Sequence, residues 1–368
     1  MIAILIVIVV LTIYFKLGQF CFRSDNYFLS GFVFSIPALL TLGNIFYNDF
    51  HTRNFYFIVA SFIIGALISF FGQKRRSNAK AQFNLALMYE HGHGVAQDYK
   101  TAVKWYRLSA QRGHTQAQYD LGLMYQRGQG IAQDHKTAIR WYTLAAEQGY
   151  TQAQYHLGFI YTNGQDVAQD YRIARKWYKL AAERGHTQAQ YDLGLMYAHG
   201  QGVTQDYKTA AKWFTLAAEQ GHTQAQYHLG LMYANGRGVD QDYKTAIKWY
   251  TLAGEQGYAS AQYSLGVGYD QGQGVTQDYK IAFRWYTLAA EQGHTPAQNN
   301  LGVMNENGRG SAQDYVKAHM WFNVASIEGM ADAIKNRDMV AQKMTPAQID
   351  TAQEAASRCV SQNFKNCD

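Results

Sequence analysis

Seven aspartates stand 36 residues apart in this chain: Asp98, Asp134, Asp170, Asp206, Asp242, Asp278 and Asp314. Aligned carboxylates can serve metal centres or general acid–base chemistry. Here each follows a Gly-rich stretch and precedes an apolar-periodic segment, where an Asp side chain accepts the first N–H groups of a helix. The aspartates are therefore read as helix caps. Counting each copy 1 to 36 from Ala81, Ala117, Ala153, Ala189, Ala225, Ala261 and Ala297, two further columns carry chemistry. Position 4 holds Asn84, Asp120, His156, Asp192, His228, Ser264 and Asn300, and position 11 holds His91, Arg127, Asn163, His199, Asn235, Gln271 and Asn307. Residues seven apart share one face of a helix. A metal bridging Asp and His of neighbouring copies would need donors at about 2.0–2.2 Å, yet packed helices lie about 8–10 Å apart. The pair His91 and His93 lacks further ligands, and the G-x-G segments follow a helix rather than the strand a phosphate loop needs. Without a Ser–His–acid, Cys–His or paired-carboxylate arrangement, no catalytic residue, cofactor or metal is assigned. The columns instead read as a partner-binding surface made of Asp120, Arg127, His156, Asp192, His199 and His228.

Two helices must position that surface in every copy. In the second copy, Ala117, Leu121, Met124 and Tyr125 make one stripe at helical spacing, and Tyr119 and Leu123 lie on the opposite side. Position 6 is Gly in six copies and Ala86 in the first. Gly costs about 0.8–1 kcal/mol in a helix, so its recurrence marks a close approach by a neighbouring helix. Thr115 and Gln118, three apart and repeated in most copies, have capping-box spacing. Gly128-Gln129-Gly130 ends the first helix. The second starts at Asp134, buries Ala138, Trp141, Tyr142 and Ala145, and ends at Gly149. All seven Trp occupy the same position, 25, and are read as core. Basic residues fill positions 20 and 24 in six copies, as in Lys208 and Lys212, and are read as a solvated outer face.

Composition sets further bounds. The chain has 368 residues and a formal net charge of +6. Residues 1–80 carry seven basic and two acidic residues, so the remainder is near neutral. A near-neutral repeat region has no electrostatic footprint for nucleic acid. Cys21, Cys359 and Cys367 are too few to staple every repeat. Three apolar stretches open the chain: 2–15, extendable to 22, then 27–46 and 55–71. Spans of about 17–25 residues cross a bilayer, so 1–76 is read as a membrane anchor of about three spans. The first stretch lacks the features of a cleaved signal peptide. Lys74-Arg75-Arg76 follows the third stretch and, with Lys16 and Arg23, places the repeats in the cytoplasm. The expectation is a multi-pass protein of a bacterial inner membrane. Cys359 and Cys367, eight apart, pull the other way, since they are able to close a disulfide in an oxidising compartment.

A 36-residue period built from helix pairs means a solenoid, because one copy cannot bury its apolar face alone. The motif from Ala189-Gln190-Tyr191-Asp192-Leu193-Gly194 through Trp213, Ala217-Ala218 and Gly221 resembles the Sel-1-like repeat family, relatives of the tetratricopeptide repeat. The resemblance covers residues 81–332, and residues 339–348 resemble the family's C-terminal cap. It implies an all-α fold, a right-handed superhelical α/α solenoid of seven helix-pair repeats, here preceded by transmembrane helices and followed by a capping helix and tail over 333–368. It also implies a scaffold that binds a protein or peptide on the concave face lined by first helices. Cysteine-rich members linked to β-lactam binding or hydrolysis carry a disulfide in each repeat, a pattern missing here. A hydrolase of that kind is the alternative reading. A cell-envelope or peptidoglycan-associated binding role is another, if the repeats face the periplasm.

Overall fold

A computed structural model describes residues 50–365 and Cys367. The described residues form sixteen α-helices and no strand. The chain divides into two compact units, Met1–Lys80 and Ala81–Asp368. Helix α1 (Phe50–His91) contains the first helix of copy 1. The paired helices that follow are α2 (Tyr99–Gln111), α3 (Thr115–Arg127), α4 (His135–Glu147), α5 (Thr151–Asn163), α6 (Tyr171–Glu183), α7 (Thr187–His199) and α8 (Tyr207–Glu219). They continue as α9 (Thr223–Asn235), α10 (Tyr243–Glu255), α11 (Ala259–Gln271), α12 (Tyr279–Ala290), α13 (Thr295–Asn307) and α14 (Tyr315–Ser326). Two closing helices, α15 (Ala331–Ala341) and α16 (Pro346–Ser361), complete the chain. From α2 onward each helix packs on the next as far as α15, and α14 also carries α16.

The multi-pass membrane placement is corrected here. Among the described residues no helix is long and apolar enough to cross a membrane. The stretch 55–71 is only seventeen residues, between Arg53 and Lys74, at the short limit for a span. Its helix runs on through the basic cluster into copy 1 as one element, α1. The stretches 2–15 and 27–46 lie outside the described residues. The cytoplasmic placement loses support on a second ground: Cys359 and Cys367 form a disulfide, with Cα atoms 4.7 Å apart. Disulfides persist mainly in oxidising compartments.

The aspartate caps are in place. Asp98 accepts from Lys100 N–H, Asp134 from Thr137 N–H, and Asp314 from both Val316 and Lys317 N–H. In four copies the hydroxyl of the Thr three residues on, such as Thr137, also donates to the cap and holds its carboxyl below the usual range. First helices end on a left-handed residue, Gly128 with φ 67° in α3, where a Cβ would be strained.

The capping-box reading of Thr115 and Gln118 is overturned. The cap is His114, whose Nδ1 accepts from Ala117 N–H at 3.2 Å. His186, His222 and His294 do the same, whereas Tyr150 and Tyr258 occupy the position without a side-chain cap. Gln118 is buried instead and donates to Ala110 C=O at 3.1 Å. The one capping box among these helices is Thr345 with Gln348, at the start of α16.

Position 6 behaves as the sequence implied. A Cβ on Gly122 would lie 2.5 Å from the Tyr142 ring, and one on Gly194 would lie 2.6 Å from Phe214. The intruder is thus the position-26 aromatic, and it forms the centre of each copy: Tyr106, Tyr142, Tyr178, Phe214, Tyr250, Tyr286 and Phe322 are all buried. That corrects the role of Trp. Only Trp321 is fully buried, while the other six are half-buried. One residue along the helix is a turn of about 100°, which swings Trp out of the centre. Trp141, Trp177 and Trp213 lean on the core of the preceding copy, so they seal the seam between copies.

Candidate functional site

Each first helix presents position 4 beside position 3, and the structure shows what surrounds them. The position-4 side chain of one copy sits against the position-3 and position-26 aromatics of the copy before it. The hydroxyl of Tyr119 lies 3.4 Å from His156 Nδ1, and the Tyr142 ring stacks on His156 with centroids 4.6 Å apart. Gln188 donates to Asp192 at 3.1 Å, and Tyr155 lies close enough to act on the same carboxyl. Ser264 lies close enough to Tyr227 and Tyr250, and Asn300 to Tyr263 and Tyr286, to offset part of the rise that burial imposes on those phenols. At His228 the preceding residue is Phe214, which offers no hydroxyl, and the two rings stack 5.5 Å apart.

Asp120 is the exception. Its predecessor at position 3 is Phe83, and Tyr106 spends its hydroxyl on Glu90. Burial, with the Glu90 carboxylate nearby, pushes the Asp120 carboxyl up to about 7. Burial also lifts Asp192 to about 6, against the pull of Gln188 and Tyr155. Burial lowers His156 and His228, aided by the charge of Arg127 on the former and of His199 and His222 on the latter. Taking charges out of water disfavours them, so the position-4 column is far less charged than its residue types suggest.

The six residues assigned from sequence therefore divide. Asp120, His156, Asp192 and His228 are half-buried seam residues, while Arg127 and His199 are exposed at position 11. Arg127 is close enough to act on His156, and His199 on His228. Exposed apolar surface accompanies them at Met88 and Phe159.

Two further sets escaped the sequence reading. The position-34 rings meet position 3: Tyr155 stacks on His186 and Tyr191 on His222, both at 4.5 Å, while Tyr119 and Tyr150 meet tilted at 5.4 Å. A recurring aromatic before the first helix of copies 2 to 7 was the available signal. The second set is a row of amides. Gln148, Gln220, Gln256 and Gln292 donate to the position-2 glutamines Gln118, Gln190, Gln226 and Gln262, at 2.6–2.7 Å. Copies 1 and 3 carry Arg112 and Arg184 instead, and there Gln82 Oε1 and Gln154 Oε1 are buried without a partner.

Comparison with known proteins agrees with this architecture. A family model described as Sel1 repeat matches residues 79–114, 115–150, 151–186, 187–222, 223–258, 259–294 and 295–330. These units start two residues before the Ala used for counting, where the first helices begin. The crystal structure of a Sel1 repeat protein from Oxalobacter formigenes is 35% identical, with a TM-score of 0.56, covering 70% of this chain and 74% of that one. A protective antigen of uropathogenic Escherichia coli strains displaying an SLR fold is 29% identical, with a TM-score of 0.45, covering 78% of this chain and 85% of that one. No curated protein matches the chain.

Proposed function

Given that this chain belongs to the Sel1 repeat family, whose solenoids are typically protein-interaction scaffolds, we propose that it is a non-catalytic scaffold binding a protein or peptide along its first helices. The supporting observation is the split between constant and variable columns. Positions 1, 5 and 26 keep the core, with Ala153, Leu157 and Tyr178 buried, while position 11 changes in nearly every copy and is exposed at Arg127, Asn163, His199 and Asn235. Specificity written there leaves the packing untouched. The half-buried Asp120, His156, Asp192 and His228 act behind this surface by setting the seams that space it.

The test is capture of partners by the tagged full chain, read by mass spectrometry, against a variant with Arg127, Asn163, His199 and Asn235 all changed to Ala. The main partner is expected to be lost while helicity and melting stay at parent values. Retention of that partner by the variant would remove the first-helix face as the binding surface. Turnover of a β-lactam by the purified chain would instead favour the hydrolase reading.

A further inference from the structure

The second helices carry their own pattern on the opposite surface. Positions 20, 24 and 28 lie four apart, on one stripe. In copies 1 to 6 they read basic, basic, Leu: Lys100, Lys104 and Leu108 in the first, Lys208, Lys212 and Leu216 in the fourth, Lys244, Lys248 and Leu252 in the fifth. The cations are exposed, and Leu108, Leu144, Leu216, Leu252 and Leu288 are 40–45% exposed. Beside each Leu runs the half-buried Trp of the same helix. In copy 7 the three positions become Val316, Met320 and Val324, and Met320 and Val324 are each 1% exposed.

What covers them is α16. Its buried side chains Ala352, Ala356 and Cys359 join one cluster with Met320, Trp321 and Val324, and Phe283 of the preceding second helix packs against it. Phe364 beyond α16 reaches to within 3.1 Å of where a Gly293 Cβ would stand. The chain thus shows how a helix with a small-residue face seats along consecutive second helices. Copies 1 to 6 repeat that seat with two differences: Leu replaces Val324, and two cations replace Val316 and Met320. A helix placed there has to bring carboxylates to those cations, since desolvating them without partners is costly. Glu147, Glu183, Glu219 and Glu255 sit one turn past the Leu row, and the Asp caps sit at the other end. The cations thus lie between two acidic rows, Asp98 to Asp278 on one side and Glu147 to Glu255 on the other, which counts against a uniformly anionic surface as the occupant.

We infer that the second helices of copies 1 to 6 form a docking surface for a partner protein's acidic amphipathic helix with a small-residue face, seated as α16 is on copy 7. This surface is separate from the first-helix face and stands or falls independently of it.

The probe is a labelled helical peptide with the α16 sequence, Ser at the Cys359 position, and Glu at the positions that face residues 20 and 24. Its binding to the full chain is followed by fluorescence anisotropy. Saturable binding is expected, weakening with salt and unchanged in the position-11 variant. Reversal of Lys208, Lys212, Lys244 and Lys248 to Glu should weaken it on the order of tenfold, from the usual worth of several exposed ion pairs. A second variant, Lys244→Val with Lys248→Met, should gain binding of the peptide that lacks the added Glu, because it recreates the copy-7 seat. The inference fails if the charge-reversed chain binds undiminished, if a peptide with Lys in place of Glu binds as well, or if vesicles of phosphatidylglycerol bind the chain through these cations while the acidic peptide does not.

Discussion

Tyr142 and Trp141 are adjacent, yet the structure gives them different work. Tyr142 fills the space left by Gly122, whereas Trp141 closes a seam and keeps part of its ring in water. Emptying a fully buried aromatic site costs about 3–5 kcal/mol. Phe214→Ala is therefore expected to destabilise the chain by about that much, and Trp213→Ala by less, in urea melts of the two variants. Equal losses would contradict the assignment of position 26 as the centre. Asp120 makes a pH argument at the same scale. Its carboxyl is raised to about 7 in the folded chain, against about 3.9 when unfolded. The folded state therefore holds the proton more tightly, and the contribution present below the unfolded value is lost as pH rises through the folded one. Asp120→Asn should raise the melting temperature at pH 8 and leave it nearly unchanged at pH 4. Glu90, Tyr106, Tyr119 and Tyr150 share that environment and remain in the variant. Arg184→Gln gives a third test: it supplies the donor that Gln154 Oε1 lacks, and should add about 0.5–1.5 kcal/mol in the same melts.

At the scale of elements, how much could be read depended on how far apart the deciding residues lie. The Asp caps, the Gly-ended first helices and the glycine at position 6 follow from neighbours within a turn or two. The partner of that glycine lies twenty residues on, and the partner of Gln118 thirty residues on. A period announces that each column meets another but does not say which, so the sequence reads Trp141 and Tyr142 alike as core, and only the structure separates the centre from the seam. The candidate surface suffered similarly: position 4 varies like a binding column, yet it varies against the aromatics of the copy before. The closing element adds a test of its own. The disulfide between Cys359 and Cys367 holds the tail beside α16, so Cys367→Ser should cost about 2–3 kcal/mol for so short a loop. Hydrogen exchange should quicken in α16 and the exposed side of α14, and stay unchanged in α3 to α9.

For the repeat unit as a whole, the two ends differ. At the C-terminal end α15 and α16 bury Val340, Met320 and Val324. At the other end, positions buried in every later copy are open: Met88 is 38% exposed, whereas Met124 and Met196 are 2% exposed. Solenoids need polar caps to stay soluble. A chain stopped after residue 330 would present Met320, Trp321 and Val324 to water, and light scattering should show it aggregating at concentrations where the full chain does not.

The row of side-chain amides runs through copies 4, 5 and 6 and is interrupted in copies 1 and 3, where Arg112 and Arg184 stand. Each of these bonds ties the end of a second helix to the start of the first helix in the same copy, so a copy that lacks it holds its two helices together less firmly. Compliance within a copy should thus be greater in copies 1 and 3 than in copies 4, 5 and 6. A ligand that needs the array to open or tighten would gain that travel near the N-terminal copies, where Arg127 and His156 also lie.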